Sequence, residues 1–176
     1  MAFIIASQAF PFFTTRTYVD VVRHPEEVEN EFSVHGADQA KEILKQEGLK
    51  DVEALKSLVR GMDMTNISTR ELAMIGQKLH QMMLTEEFSV NIFFAGNRDT
   101  DENGLQRNID VKFNAIALFN QKYQGHLELS DQRPHYRESD SFQEVGRGIK
   151  SANHLLALLS WFAHSSNNDL AINEIA

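Results

Sequence analysis

The stretch Ser141–His164, SFQEVGRGIKSANHLLALLSWFAH, decides the fold. Ser141 stands three residues before Glu144, the spacing of a capping box, in which each side chain bonds the other residue's backbone N–H. Val145, Ile149, Ala152, Leu156, Leu159 and Ala163 then follow at steps of three and four, one face of a helix. Leu155, Leu158 and Phe162 widen that face, and Trp161 adds another direction. Between Leu155 and Ala163 only Ser160 is polar. A helix apolar nearly all round has to be buried on most sides. Either it is the central helix of a bundle, or Leu155, Leu158, Leu159 and Phe162 form a homodimer interface. The run is too short and too interrupted to cross a bilayer, which takes about 20 apolar residues.

Composition narrows the function classes. A chain of 176 residues, 42% of them hydrophobic, forms one domain with a sizeable core. The formal net charge of −8 argues against nucleic acid and anionic membranes as partners, because phosphate binding needs clustered Lys and Arg. Cysteine is absent, which excludes disulfides, thiolate metal sites and Cys nucleophiles and fits a cytoplasmic setting. The apolar start MAFIIASQAFPFF has no Lys or Arg before Arg16 and is interrupted by Gln8 and Pro11, so an uncleaved N-terminus is expected.

The whole chain, 1–176, reads as a single helical domain: an arm over 1–24, a helical core over 25–165 and a tail over 166–176. The arm carries a weak strand pattern between Thr15 and Val22. No proline interrupts the chain between Pro25 and Pro134, which suits a string of helices. Ala37–Gln46 reads as a helix stopped by Gly48, and Asp51 starts a second that ends at Gly61. Ser68 and Glu71 form a capping box before Leu72, Ile75, Leu79 and Met82, a helix over about 69–84. Phe88, Val90, Ile92 and Phe94 in FSVNIFFAG alternate like a strand but also fit helical spacing, and Thr85 with Glu86 and Glu87 as a helix start favours a further helix. Leu105, Ile109, Phe113, Ile116 and Tyr123 define another that Gly125 stops, and His126–Asp140 is expected as an exposed connector. The fold class is therefore mainly α: a bundle of five to six helices with an extended or short β N-terminal arm.

The best local motif is Asp99-Thr100-Asp101-Glu102-Asn103-Gly104, the first half of an EF-hand loop. Asp99, Asp101 and Asn103 supply oxygens at positions one, three and five, and Asp110 stands at position twelve. Position eight is Gln106 instead of an aliphatic residue, and Asp110 replaces the longer Glu. Calcium is the one cofactor this pattern implies. The seven histidines show no zincin spacing. Gly146-Arg147-Gly148 lacks a phosphate-loop spacer, so its glycines are expected to admit another helix or the N-terminal arm. Met62, Met64, Met74, Met82 and Met83 fill core gaps or form an adaptable partner groove.

The segment Met64-Thr65-Asn66-Ile67-Ser68-Thr69-Arg70-Glu71-Leu72, continued by Leu79-His80 and Thr85-Glu86-Glu87, resembles a pattern in small uncharacterised bacterial helical proteins with an N-I-S-x-R-E-[LM] helix start. Asn114–Phe119 resembles their following helix. His80 stands where they carry an aromatic residue, and the N-terminal arm has no counterpart in them. The resemblance implies a helical bacterial protein and brings no catalytic residues. The leading functional expectation is a non-catalytic protein–protein interaction or regulatory module, binding a protein partner or itself as a homodimer. The alternatives are a weak calcium-binding protein and a small helical enzyme with a dispersed site.

Overall fold

The computed structural model describes residues 29–82 and 87–165. The arm over 1–24, the tail over 166–176 and the expected helix start at Thr85 lie outside the described residues. Six α-helices account for most of the rest: α1 (Ala37–Gln46), α2 (Val52–Val59), α3 (Thr69–Gln81), α4 (Glu87–Ala95), α5 (Ala115–Gln132) and α6 (Asp140–His164). Two short strands, β1 (Ile67–Ser68) and β2 (Lys112–Phe113), pair antiparallel with Ile67 opposite Phe113. The chain is mainly α, as expected.

Helix α6 occupies the centre. It packs against α4, α5 and α2 and touches α1. Leu155, Leu158 and Leu159 are 0% exposed and Phe162 2%. The four therefore lie inside the chain's own core, and the interface suggested for them has no surface here to form on. The physical reason is that α2, α4 and α5 pack on the sides of α6 that carry these four residues. Phe93 of α4 and Phe119 of α5 meet edge to face in the same core, ring centroids 5.1 Å apart.

Glycines allow the closest approaches. A Cβ on Gly148 of α6 would lie 2.6 Å from Cδ1 and 2.7 Å from Cβ of Phe88, so α4 seats on that position. Gly76 of α3 does the same for Phe93, at 2.9 Å. Gly146 receives the ring of His126. The expectation that Gly146 and Gly148 admit neighbouring helices thus holds, with named occupants.

The helix starts are partly those expected. The Ser68–Glu71 capping box is present on α3. Asp51 accepts from the N–H of Ala54 and Asn114 from that of Ala117. At α6 the cap is Ser139, which accepts from the N–H of Phe142, and the helix begins at Asp140. The box expected between Ser141 and Glu144 does not form, because Ser141 already lies within the first turn.

Two boundaries move further. The helix expected from Leu105 begins at Ala115. Lys112 and Phe113 are drawn into the β pair, Asn108 takes a positive φ of 51°, and Leu105 is 66% exposed. Gly125 does not stop α5, which runs to Gln132 and is followed by a 3-10 turn over Pro134–Glu138. The segment His126–Asp140 is therefore largely helical, while most of its residues are exposed, as expected. His126 is buried and stacked on Phe142, with ring centroids 4.1 Å apart. That contact continues α5 past its glycine.

Replacing Leu159 by Asp places a charge without a partner in this core, and the variant is expected to lose cooperative folding. Leu159→Ala is expected to fold with a loss of about 2–5 kcal/mol. Circular dichroism with urea unfolding measures both. A folded, monomeric Leu159→Asp chain would overturn the central placement of α6.

Candidate functional site

The acidic loop after α4 is built as a scaffold. Thr100 and Gln106 form an isolated antiparallel bridge. The N–H of Asp101 donates to Leu105 O at 2.9 Å, and Gly104 makes the turn with φ +78°. One carboxylate oxygen of Asp101 accepts the N–H groups of Leu105 and Asn103, at 2.8 and 2.9 Å. The Leu105 bond leads in holding this carboxyl below its ordinary pKa, against an opposing desolvation. Asp99 is buried and accepts from the Arg107 guanidinium at 3.1 Å and from the Asn108 amide. Asp110 pairs with Arg70 at 2.6 and 3.1 Å, and hydrogen bonding to that guanidinium lowers its pKa.

Three of the four residues considered for calcium thus spend their carboxylates on partners within the chain, and Asn103 gives its N–H to Asp101. They do not converge on a point. Among the described residues no group of three or more His, Asp or Glu side chains is arranged to hold a metal ion. The loop closes through hydrogen bonds that a calcium ligand set would have to break.

The other side of that loop faces a cleft. A cavity of about 750 Å³ opens between α4, α5, α6 and the loop. Phe88, Ile92 and Phe94 from α4, with Val145 and Ile149 from α6, supply an apolar lining. Arg98, Thr100 and Gln106 come from the loop and Asn91 from α4. Lys122 reaches in from α5. Its ammonium donates to the carbonyl of Gly96 at 3.1 Å and lies 5.6 Å from the centroid of the Phe119 ring. No Asp or Glu is among the described lining residues, although the chain carries a net charge of −8. Burial, with a smaller push from the Arg98 charge, lowers the Lys122 pKa from 10.5 to about 8.

Sequence reasoning missed Lys122. Its one signal was position: three residues after Phe119, at the border of the apolar stripe of α5. Arg98 was missed as well; its positive φ of 50° just past Gly96 is not readable from residue types. The two histidines that flank the apolar run of α6 make structural contacts. His154 meets Phe32 edge to face at 5.1 Å, and His164 Nδ1 lies 2.7 Å from Ser160 O. Met64 is fully buried and Met74 is 54% exposed, so these two do not share one groove. In comparisons with known proteins the chain matches no family model, no curated protein and no solved structure. Among the described residues no helix is long and apolar enough to cross a membrane.

Two outcomes follow from this geometry. Calcium at about 1 mM, the range of weak sites, is expected to leave the thermal midpoint unchanged; a saturable rise in differential scanning fluorimetry would restore the metal reading. The second concerns Lys122. A base whose pKa is lowered by folding opposes folding while it is protonated. That cost is complete below about 8, fades towards 10.5 and is gone above it. Relative to Lys122→Met, the wild-type chain is therefore expected to gain stability between about pH 8 and 10.5. Urea unfolding of both proteins across that range reads the difference; a flat or opposite trend counts against a buried ammonium.

Proposed function

We propose that this chain is a non-catalytic binding module that takes up a small, largely apolar molecule in the cleft between α4, α5 and α6. The observation that carries the reading is the cleft itself. Its volume of about 750 Å³ falls within the range of small-molecule sites, roughly 300–1,000 Å³. Its lining combines apolar walls with a few polar groups, the usual composition of such sites. The walls are held rigidly, because α4 seats on Gly148 through Phe88 and the loop is closed by Asp99 and Asp101.

A regulatory role belongs to the same proposal: occupancy of the cleft is reported to a protein partner or to a second copy of the chain. What supports it is the exposed apolar surface at Phe94, 44% exposed on the cleft itself, and at Met74 and Leu105 elsewhere. The cytoplasmic setting rests on the absence of cysteine. Kinship with bacterial proteins that share the helix-start pattern is supported by the Ser68–Glu71 box that the pattern encodes.

The test is a titration with 1-aminoanthracene, a neutral fluorescent apolar probe. Saturable binding at about one equivalent is expected for the wild type. Ala95 lines the cleft, so Ala95→Trp fills it and is expected to weaken binding at least about tenfold with the fold retained. If the probe does not bind, or binds Ala95→Trp equally well, the cleft is not a ligand site.

A further inference from the structure

We infer that the cleft selects amphipathic molecules with a carboxylate head, read by Lys122 and Arg98 while the apolar tail lies along Phe88, Ile92 and Ile149. The inference rests on the cleft reading above and adds the chemical class of the ligand.

Three features of the site converge on it. The first is charge. Acidic residues outnumber basic ones in this chain, 25 to 17, yet the described lining residues include two cations and no acid. A cleft lined by one sign of charge with apolar walls concentrates the opposite charge. The second is hydrogen bonding. An ammonium has three protons to donate. Among the described residues, the Gly96 carbonyl is the one hydrogen-bond acceptor that Lys122 reaches. The third is the arrangement of the walls. The cationic groups come from the loop and α5, and the apolar side chains come from α4 and α6. An amphiphile matches that division; a wholly polar anion would leave the apolar walls uncovered, and a hydrocarbon would leave the ammonium uncompensated.

Helix α4 ends at Ala95, and a cation near its last carbonyls is favourable by itself. That role does not require a cavity, and an ammonium that served it alone would gain from standing in water. Lys122 instead stands in the cleft, beside the face of Phe119 and within the field of Arg98. A carboxylate placed between Lys122 and Arg98 relieves both the desolvation and the repulsion.

Displacement of bound 1-aminoanthracene from the full chain at about pH 7 tests this, with decanoate and decan-1-ol as competitors of equal tail length. Decanoate is expected to displace the probe at a concentration at least about tenfold below that of the alcohol. Lys122→Met, each competitor being compared within that variant, is expected to lose most of the preference for decanoate over decan-1-ol, and Lys122→Arg to keep it. In the wild type the preference is expected to shrink as the pH rises from about 7 to 10, because the amine loses its proton while the carboxylate stays ionised. Equal displacement by the two competitors would overturn the carboxylate head and leave the cleft reading standing. A preference undiminished in Lys122→Met carrying Arg98→Gln would overturn these residues as the readers. Failure of the neutral probe to bind would remove the cleft reading and this inference together.

Discussion

The burial of α6 is the constraint on which the rest of the structure depends. Leu155, Leu156, Leu158 and Leu159 point in different directions round one helix, and each is at most 1% exposed. Fully burying one such side chain is worth about 1.5–3 kcal/mol, so each neighbour that covers a side of α6 contributes on that scale. No single partner helix can cover all of them. The chain answers with α4, α5 and α2 on different sides, and α3 packs on α4 from outside. Where two helices must come very close, the sequence places glycine: Gly148 under Phe88 and Gly76 under Phe93. These contacts fix α4 between α3 and α6 and so fix one wall of the cleft.

A second constraint ties the start of α3 to the start of α5. Glu71 completes the capping box and also accepts from the Lys112 ammonium. Burial raises the pKa of this carboxyl, but the bonds from Lys112 and Ser68 outweigh it and the net shift is downward. Around this pair, Ile67 faces Phe113 across the short ladder, and the N–H of Ala115 donates to Met64 O at 2.9 Å. The ladder is two residues long on each side, too short to be stable alone. It is held because Ile67, Phe113 and Met64 are all buried in the helical core. Its consequence is that the segment from Asn97 to Val111 leaves and returns at fixed points, which shapes the loop wall beside Lys122.

The fold was legible where local chemistry decides it. Gly48 and Gly61 take positive φ and end α1 and α2 as their positions suggest. The Ser68–Glu71 box and the three-and-four spacing of Leu72, Ile75 and Leu79 mark α3 because cap and stripe agree. Legibility failed where a distant contact overrides a local signal. Phe113 continues the helical spacing of Ile116 and Phe119, yet its pairing with Ile67 removes it from the helix. Gly125 looks like a stop, yet the stacking of His126 on Phe142 keeps α5 going. The acidic loop was legible as a turn. Asp99 and Asp101 have the residue types of ligands, but Arg107, Asn108 and backbone N–H groups reach them first. Lys122 was out of reach, since its significance comes from α4 and the loop, not from its neighbours in sequence.

The closed loop and the buried lysine are physically linked. The acids that suggest calcium are the groups that close the loop, and the closed loop is what sets Arg98, Thr100 and Gln106 along the cleft. With Asp99 and Asp101 engaged on the loop's own donors, neither is among the residues that line the cleft with Lys122. Were one of them to turn inward, it would pair with the ammonium, restore its ordinary pKa and neutralise the one cationic recess described here in an acidic chain. The hydrogen bonds from Leu105 and Asn103 to Asp101, and from Arg107 and Asn108 to Asp99, hold them elsewhere. The negative charge that could balance Lys122 is thus present in the loop itself, at Asp99 and Asp101, and is engaged in closing it. What the cleft retains is an uncompensated ammonium beside apolar walls, a cost the fold tolerates through the Gly96 carbonyl and the face of Phe119.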